Sequence, residues 1–304
     1  AGYASALGAV KKDLAAFGPG VVNAIYAGGY GFIGAQSGFR PLVVSTIGSD
    51  MLIDYPSSFV HRLQIEYALR RASLVTTDAA SLTASVVRAG VEPSRIVEIY
   101  FGIDPSLFNL EGRASRQGGP LRIVSTRNLY PVYGLETLIA AFAALRSKAD
   151  ALLTVCGNGP DRGSLEKMAA GLGVEERVTF TGKLGPPGIA AELKKADIYV
   201  STSTSDSTSV SLLEAMACGA VPVVTDLDAN REWIREGISG LLFRPHDADG
   251  LAAAMLSLHE NRDLAASMRK EAAGTVAEKG LWIPNMERVE SEFMRLAEGE
   301  PARP

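Results

Sequence analysis

Short runs of aliphatic and β-branched residues alternate along the chain with longer stretches whose apolar residues recur every three to four positions. Continuous apolar runs of that length read as strands buried on both faces, and the longer amphipathic stretches read as helices. Strands are predicted at 21–26, 42–46, 74–77 and 96–99, then at 122–126, 151–156, 178–181, 198–201 and 221–225. Helices are predicted over 56–72, 79–89, 134–144, 163–172, 187–195, 209–218 and 248–260. A last helix is expected over 281–296, with Pro284 in its first turn. Alternation of this kind implies an α/β fold with parallel sheets. Between the two sets lies NLEGRASRQGGP (109–120), polar, Gly-rich and without periodicity, which reads as a linker. The expected division is a domain over 1–110, a linker over 111–120 and a domain over 121–280. Residues 281–304 form a tail expected to pack back on the first domain.

Composition narrows the class. The 304 residues, 47% hydrophobic, allow about two domains and exclude a disordered chain. A net charge of −4 speaks against a nucleic-acid partner bound through a global basic field. Cys156 and Cys218 cannot make a disulfide framework, and two cysteines suit a reducing compartment. The three histidines, His61, His246 and His259, show no ligand spacing and read as surface or packing residues. No apolar run is long enough for a membrane span, and the chain starts with neither Met nor a secretory signal. The expected location is therefore cytoplasmic.

Gly29-Tyr30-Gly31-Phe32-Ile33-Gly34 matches the dinucleotide fingerprint G-x-G-x-x-G, and Asp50 follows Gly29 by 21 residues. An NAD-dependent dehydrogenase is the remote alternative that this run suggests. Residues 35–40 look too few for the crossover helix that should hold a pyrophosphate. The run is expected to be a tight strand-to-helix turn instead, with Asp50 in a loop.

The second half carries denser chemistry. In ADIYVSTSTSDSTSVSLLEAMACGAVPVVT (196–225) a strand runs into a polar loop, a helix and a further strand. Ligands of open α/β sheets bind beyond the carboxyl ends of strands, which places 202–208 and the free N–H groups near Ser209 at such a position. Glu214 could accept hydrogen bonds from a hydroxyl pair, and Asp206 from a second polyol. The plainer alternative is a capped helix with a solvated Glu214. Arg127, at the carboxyl end of another predicted strand, has the planar fork that suits a diphosphate. A basic fork, a helix start and an acid pair on one sheet edge together suggest a sugar nucleotide.

These residues resemble the retaining glycosyltransferases of family 4, whose GT-B fold sets two Rossmann-like domains across a cleft. Asp206 and Glu214, in DSTSVSLLEAMACGAVPVV, match that family's E-x₇-E pair, with Asp for the first Glu. STRNLYPVYGLETLIAAF resembles the strand, loop and helix carrying its phosphate-binding arginine. CGNGPDRGSLEKMAAGLGVEERVTFTGKL resembles its G-x-G-P to F-x-G stretch, and EWIREGISGLLFRPHDADGLAAAM the segment beyond. LVTTDAASLTASVVRAGVEPSRIVEIYFGIDPSLF resembles the end of its acceptor domain. The resemblance implies that Arg127 binds the donor diphosphate and Glu214 the ribose. It puts Asp206 near the transferred sugar, Lys183 and Leu184 near the base, and the backbone at Thr208, Ser209 and Val210 around the phosphates.

The implied reaction is metal-independent transfer from a UDP- or GDP-sugar to an acceptor hydroxyl with retained configuration, in glycan or polysaccharide biosynthesis. No cofactor is implied. A glycan or lipid-linked acceptor follows from the same resemblance; Arg62, Arg70 and Arg71 on the helix expected over 56–72 could face anionic lipid at the inner face of a membrane, with a solvated basic helix face as the plainer alternative.

Three departures qualify this. Tyr133 stands where the family usually has a second cation, a Lys. Ile47 stands where its acceptor domain usually has a His before Gly, leaving Asp50 as a cleft candidate. Asn23-Ala24-Ile25 replaces a frequent H-A-H. The family's opening strand, Gly-rich turn and helix have no counterpart before 21–26, so the first domain is expected to be incomplete. A GT-B-like nucleotide- or glycan-binding module without transfer activity is the alternative these departures favour.

Overall fold

The computed structural model describes residues 2–113 and 118–299. The linker expected at 111–120 thus falls partly outside the described residues, as do the last residues of the tail. The first elements are α1 (Gly2–Phe17), β1 (Val22–Ile25), α2 (Gly29–Ser37), β2 (Leu42–Ser45), α3 (Tyr55–Ser57), α4 (Phe59–Arg71), β3 (Leu74–Thr77), α5 (Ala80–Arg88) and β4 (Ile96–Glu98). Next come β5 (Leu121–Ser125), α6 (Leu135–Arg146), β6 (Ala151–Val155), α7 (Arg162–Gly171), β7 (Val178–Phe180), α8 (Pro186–Lys195) and β8 (Ile198–Ser201). The chain ends with α9 (Val210–Ala217), β9 (Val221–Thr225), α10 (Asp228–Arg231), β10 (Leu241–Phe243), α11 (Ala248–Glu260), α12 (Arg262–Lys279) and α13 (Trp282–Ala297).

Two compact units result. The first comprises Ala1–Phe101, Asp206–Thr208 and Ile283–Pro304; the second comprises Gly102–Ser205 and Ser209–Trp282. The first unit holds a parallel sheet in the order β1-β2-β3-β4. Alternate residues of β2 point to opposite faces, as strand geometry requires. Val43 joins Leu74 and Leu296 in a cluster to which Phe293 of α13 adds. Leu42 and Val44 point the other way, where α2 and α4 lie.

The glycine run is the helix α2 itself, not a turn leading into a later helix. A Cβ on Gly31 would stand 3.2 Å from the Tyr26 carbonyl and 3.3 Å from Ala68 Cβ; one on Gly34 would stand 3.2 Å from Leu42 Cδ1. The glycines let a short helix lie close on the sheet and on α4, so packing accounts for them. The helix expected over 56–72 is also divided. A π-helical turn, Asp50–Asp54, leads into α3, and Ser58 breaks to extended backbone and caps α4 by accepting from the His61 N–H.

The second unit has the parallel order β10-β9-β8-β5-β6-β7. From β5 the chain winds outward through β6 and β7, then returns to β8 beside β5 and winds the other way. The strand order reverses between β5 and β8, where open α/β sheets bind their ligands. Ile123, Val155, Val200 and Val223 meet Leu138 and Phe142 of α6 and Met255 of α11 in one buried cluster. Here α10, of four residues, β10 and α12 escape the hydrophobic pattern. β10 has only three residues, and α12 buries a narrow stripe of Met268, Ala272 and Val276 among charged neighbours. Among the described residues no helix is long and apolar enough to cross a membrane.

Candidate active site

Arg127 lies two residues beyond β5, at the reversal point. It is buried at 8% exposure, and its Nη1 donates to Ser209 Oγ at 2.6 Å and Ser211 Oγ at 2.8 Å. Its guanidinium carbon stands 4.3 Å from the centre of the Tyr133 ring, a stacked cation–π pair. Tyr199 on β8 lies within hydrogen-bond distance of Ser211 Oγ at 3.0 Å. The arginine is therefore fixed by two serines on the loop and first turn of α9 and by one aromatic face.

The loop carrying Arg127 is clamped from both sides. On one side the loop after β6 provides Gly157 and Gly159. A Cβ there would come within 2.4 Å of the Arg127 carbonyl and 2.1 Å of the Leu129 carbonyl, so only glycine permits this approach. Leu129 N–H donates to the Asn158 carbonyl across the same contact. On the other side Thr202 Oγ1 donates to the Tyr133 carbonyl at 2.7 Å, and Thr204 N–H to the Val132 carbonyl at 2.9 Å. Gly134, at φ +55°, lies against the Thr202 carbonyl and starts α6.

Ser209 caps α9 and accepts from Leu212 N–H, while Val210 is exposed at 37%. Glu214 lies one turn further along α9 and is partly buried; burial alone pushes its carboxyl up to about 7. No hydrogen bond or charge among the described residues offsets that shift, unlike a solvated surface glutamate. Lys183, exposed, and Leu184, partly buried, follow β7. That strand is two places from β5, roughly 10 Å across the sheet.

Asp206 and Thr208 belong to the first unit. There Ser207 Oγ donates to Asp78 Oδ2 at 3.1 Å, and Thr208 Oγ1 donates to the Asp78 carbonyl. Burial, opposed by the Ser207 bond and reinforced by Asp206, pushes the Asp78 carboxyl up to about 7. Asp50, the cleft candidate of the sequence reading, is fully buried and accepts from the N–H groups of Ala27, Ile47 and Met51, tying the turn after β1 to the turn after β2.

The structure thus gathers Arg127, Tyr133 and Ser209 with Ser211 and Tyr199 in the second unit, and separately joins Asp78 to Ser207 and Thr208 in the first; Ser211, Tyr199 and Asp78 were missed by the sequence reading. Ser211 was legible as the second serine of S-x-S at the helix start; Tyr199 and Asp78 carry no local signal.

Residues 111–275, more than half the chain, match the family described as glycosyl transferases group 1, and the chain belongs to that family. Residues 1–79 match a second description, glycosyl transferase 4-like. Among curated relatives, N-acetyl-alpha-D-glucosaminyl L-malate synthase of Bacillus anthracis is 27% identical over 252 residues, covering 80% of this chain and 65% of that protein. Phosphatidyl-myo-inositol mannosyltransferase of Mycolicibacterium smegmatis is 32% identical over 179 residues, covering 57% of this chain and 45% of that protein. The chain thus spans under two thirds of either relative's length.

Among solved structures, Anabaena HepE in complex with UDP superposes with a TM-score of 0.82 at 21% identity, covering 95% of this chain and 82% of that one. Sucrose-phosphate synthase from Thermosynechococcus elongatus gives 0.86 at 19% identity, covering 97% and 78%. The fold is GT-B.

Proposed function

We propose that this chain binds a nucleotide-diphosphate sugar, UDP- or GDP-linked, and transfers the sugar to an acceptor hydroxyl with retained configuration. The observation that carries the reading is Arg127, held by Ser209, Ser211 and Tyr133 beside the start of α9 at the strand-order reversal. The guanidinium and the free N–H groups of α9 would neutralise the leaving diphosphate without a metal. Glu214 would accept from the ribose hydroxyls, and Lys183 and Leu184 would flank the base. Asp206 would orient the sugar, with attack on the face the diphosphate leaves. HepE was solved with UDP and with UDP-glucose, which supports a uridine nucleotide first.

The acceptor would be a glycan or a lipid-linked one, with the chain resting on a cytoplasmic membrane face. In support, α4 exposes Phe59 at 74%, Val60 at 62% and Leu63 at 50% beside Arg62, Arg70 and Arg71.

Titration calorimetry with UDP and GDP tests the donor site. We expect binding by one of them, weakened about 5- to 150-fold in Arg127→Ala, the equivalent of about 1–3 kcal/mol for a charge-assisted contact. Absence of binding by both would sink the reading. A module that binds without transferring is the second reading, favoured by Tyr133 standing where a second cation is usual. Sugar transfer detected by mass spectrometry would exclude it.

A further inference from the structure

Helix α12 opens with RDLAASMR (262–269), which sets Arg262, Ala265, Ala266 and Arg269 at i, i+3, i+4 and i+7 on one face. That face lines a cavity of about 650 Å³ within the second unit. Leu121 and Ile198, the first residues of β5 and β8, belong to its wall, so it lies at the amino ends of these strands. Arg127 follows the opposite end of β5, and that strand alone spans about 13 Å. The cavity is therefore separate from the donor site.

The whole chain is acidic, with a net charge of −4, yet this lining is cationic. Among the described residues Arg113, Lys195, Arg262 and Arg269 face two carboxylates, Asp197 and Asp263. Two of the cations are anchored. Arg113 Nη2 donates to the Ala196 carbonyl at 2.6 Å and its Nη1 to the Cys218 carbonyl at 3.1 Å. Arg269 Nε donates to the Gly219 carbonyl at 2.7 Å. These carbonyls close α8 and α9, where helix ends are partially negative. The Arg269 Nη groups make no hydrogen bond among the described residues. Burial, opposed by Asp197 and reinforced by Arg262, pushes the Arg269 guanidinium below its ordinary value. Asp197 itself accepts from the Arg122 N–H at 2.9 Å. Arg262 is exposed, with Nη2 3.3 Å from His259 Nδ1. Lys195 pairs with Glu192 at 2.7 Å, an exposed pair that holds it weakly.

The lining selects a ligand class. Two guanidiniums and an ammonium suit more than one negative charge, and a phosphate monoester brings about −1.5 to −2 with three acceptor oxygens. Ala265 and Ala266 leave room between the two arginines, and Leu110 and Leu258 add apolar wall, so the ligand has an organic body as well. The volume falls within the range of about 300–1,000 Å³ usual for small-molecule pockets and exceeds what a bare ion needs. We infer that this cavity binds a phosphate monoester with a small organic body, the phosphate held by Arg262, Arg269 and Lys195 and the body against the alanine face of α12. The inference goes beyond the donor reading and does not depend on it.

Calorimetry with phenyl phosphate, inorganic phosphate and benzyl alcohol tests it. Phenyl phosphate should bind, inorganic phosphate more weakly, and benzyl alcohol not at all. The double variant Arg262→Gln/Lys195→Gln should weaken phenyl phosphate about tenfold or more. Both side chains are exposed, so the fold survives their loss. Ala266→Phe, at another exposed position, fills the cavity with every charge retained and should weaken binding as much. Arg127→Ala should leave phenyl phosphate affinity unchanged, since it alters the opposite end of β5. Absence of phenyl phosphate binding, or binding unaltered in both cavity variants, overturns the inference. So does weakening in Arg127→Ala, which would place the phosphate at the donor site. Inorganic phosphate or benzyl alcohol binding as tightly as phenyl phosphate overturns the ligand class.

Discussion

Tyr133 occupies a position where a second cation would be usual, and the structure gives it a different task. Its ring lies under the Arg127 guanidinium, a contact worth about 0.5–2 kcal/mol depending on desolvation. Tyr133→Leu should therefore weaken UDP binding several-fold while Tyr133→Phe should not. In an Arg127→Ala background Tyr133→Leu should cost little more, and a calorimetric double-mutant cycle checks this. Glu214 makes a second prediction through pH. Its folded pKa, about 7, lies above the ordinary 4.5, so the unfolded chain ionises first as pH rises. Stability should fall between about pH 4.5 and 7 and level off above. Glu214→Gln should flatten that slope and add on the order of 2 kcal/mol at pH 8, measured by urea unfolding.

At the scale of elements, the Arg127 loop is a short irregular segment made rigid by two neighbouring loops. The tightest approach is Gly159, whose Cβ would meet the Leu129 carbonyl at 2.1 Å. Gly159→Ala should push that loop away, lower stability by about 1–3 kcal/mol and weaken UDP binding together. Gly163→Ala, where a Cβ meets nothing within 4 Å, should do neither. Thermal unfolding and calorimetry on the two variants separate these outcomes. Every strand but β10 and most helices were legible from apolar runs. α2 was not, because GYGFIG has neither helix propensity nor a cap; close packing on Ala68, Ala24 and Leu42 overrides that preference. α12 was hidden because three buried residues spaced by four leave a mostly charged sequence.

At the scale of the molecule, the chain builds most of the first unit, then the second, and returns to the first with α13. Leu296 packs with Val43 and Leu74 of that first sheet. Leu296→Ala should destabilise the first unit by about 2–4 kcal/mol. Hydrogen exchange should show faster exchange in β1–β4 and unchanged protection in β5–β10. Equal loss in both sheets would mean that α13 supports more than its own unit.

The amino-acid order alone determined the α/β class, the alternating elements, and the family signature around Arg127, Asp206 and Glu214, because these depend on local periodicity and fixed spacing. Tertiary structure decided what those residues touch. It put Tyr133 under Arg127, buried Asp50 against three N–H groups, and raised Glu214 by burial. It also turned Tyr26 into a left-handed corner beside an open cavity. Each of these outcomes depends on groups distant in the chain that meet only when parallel strands align, and no local pattern records that meeting.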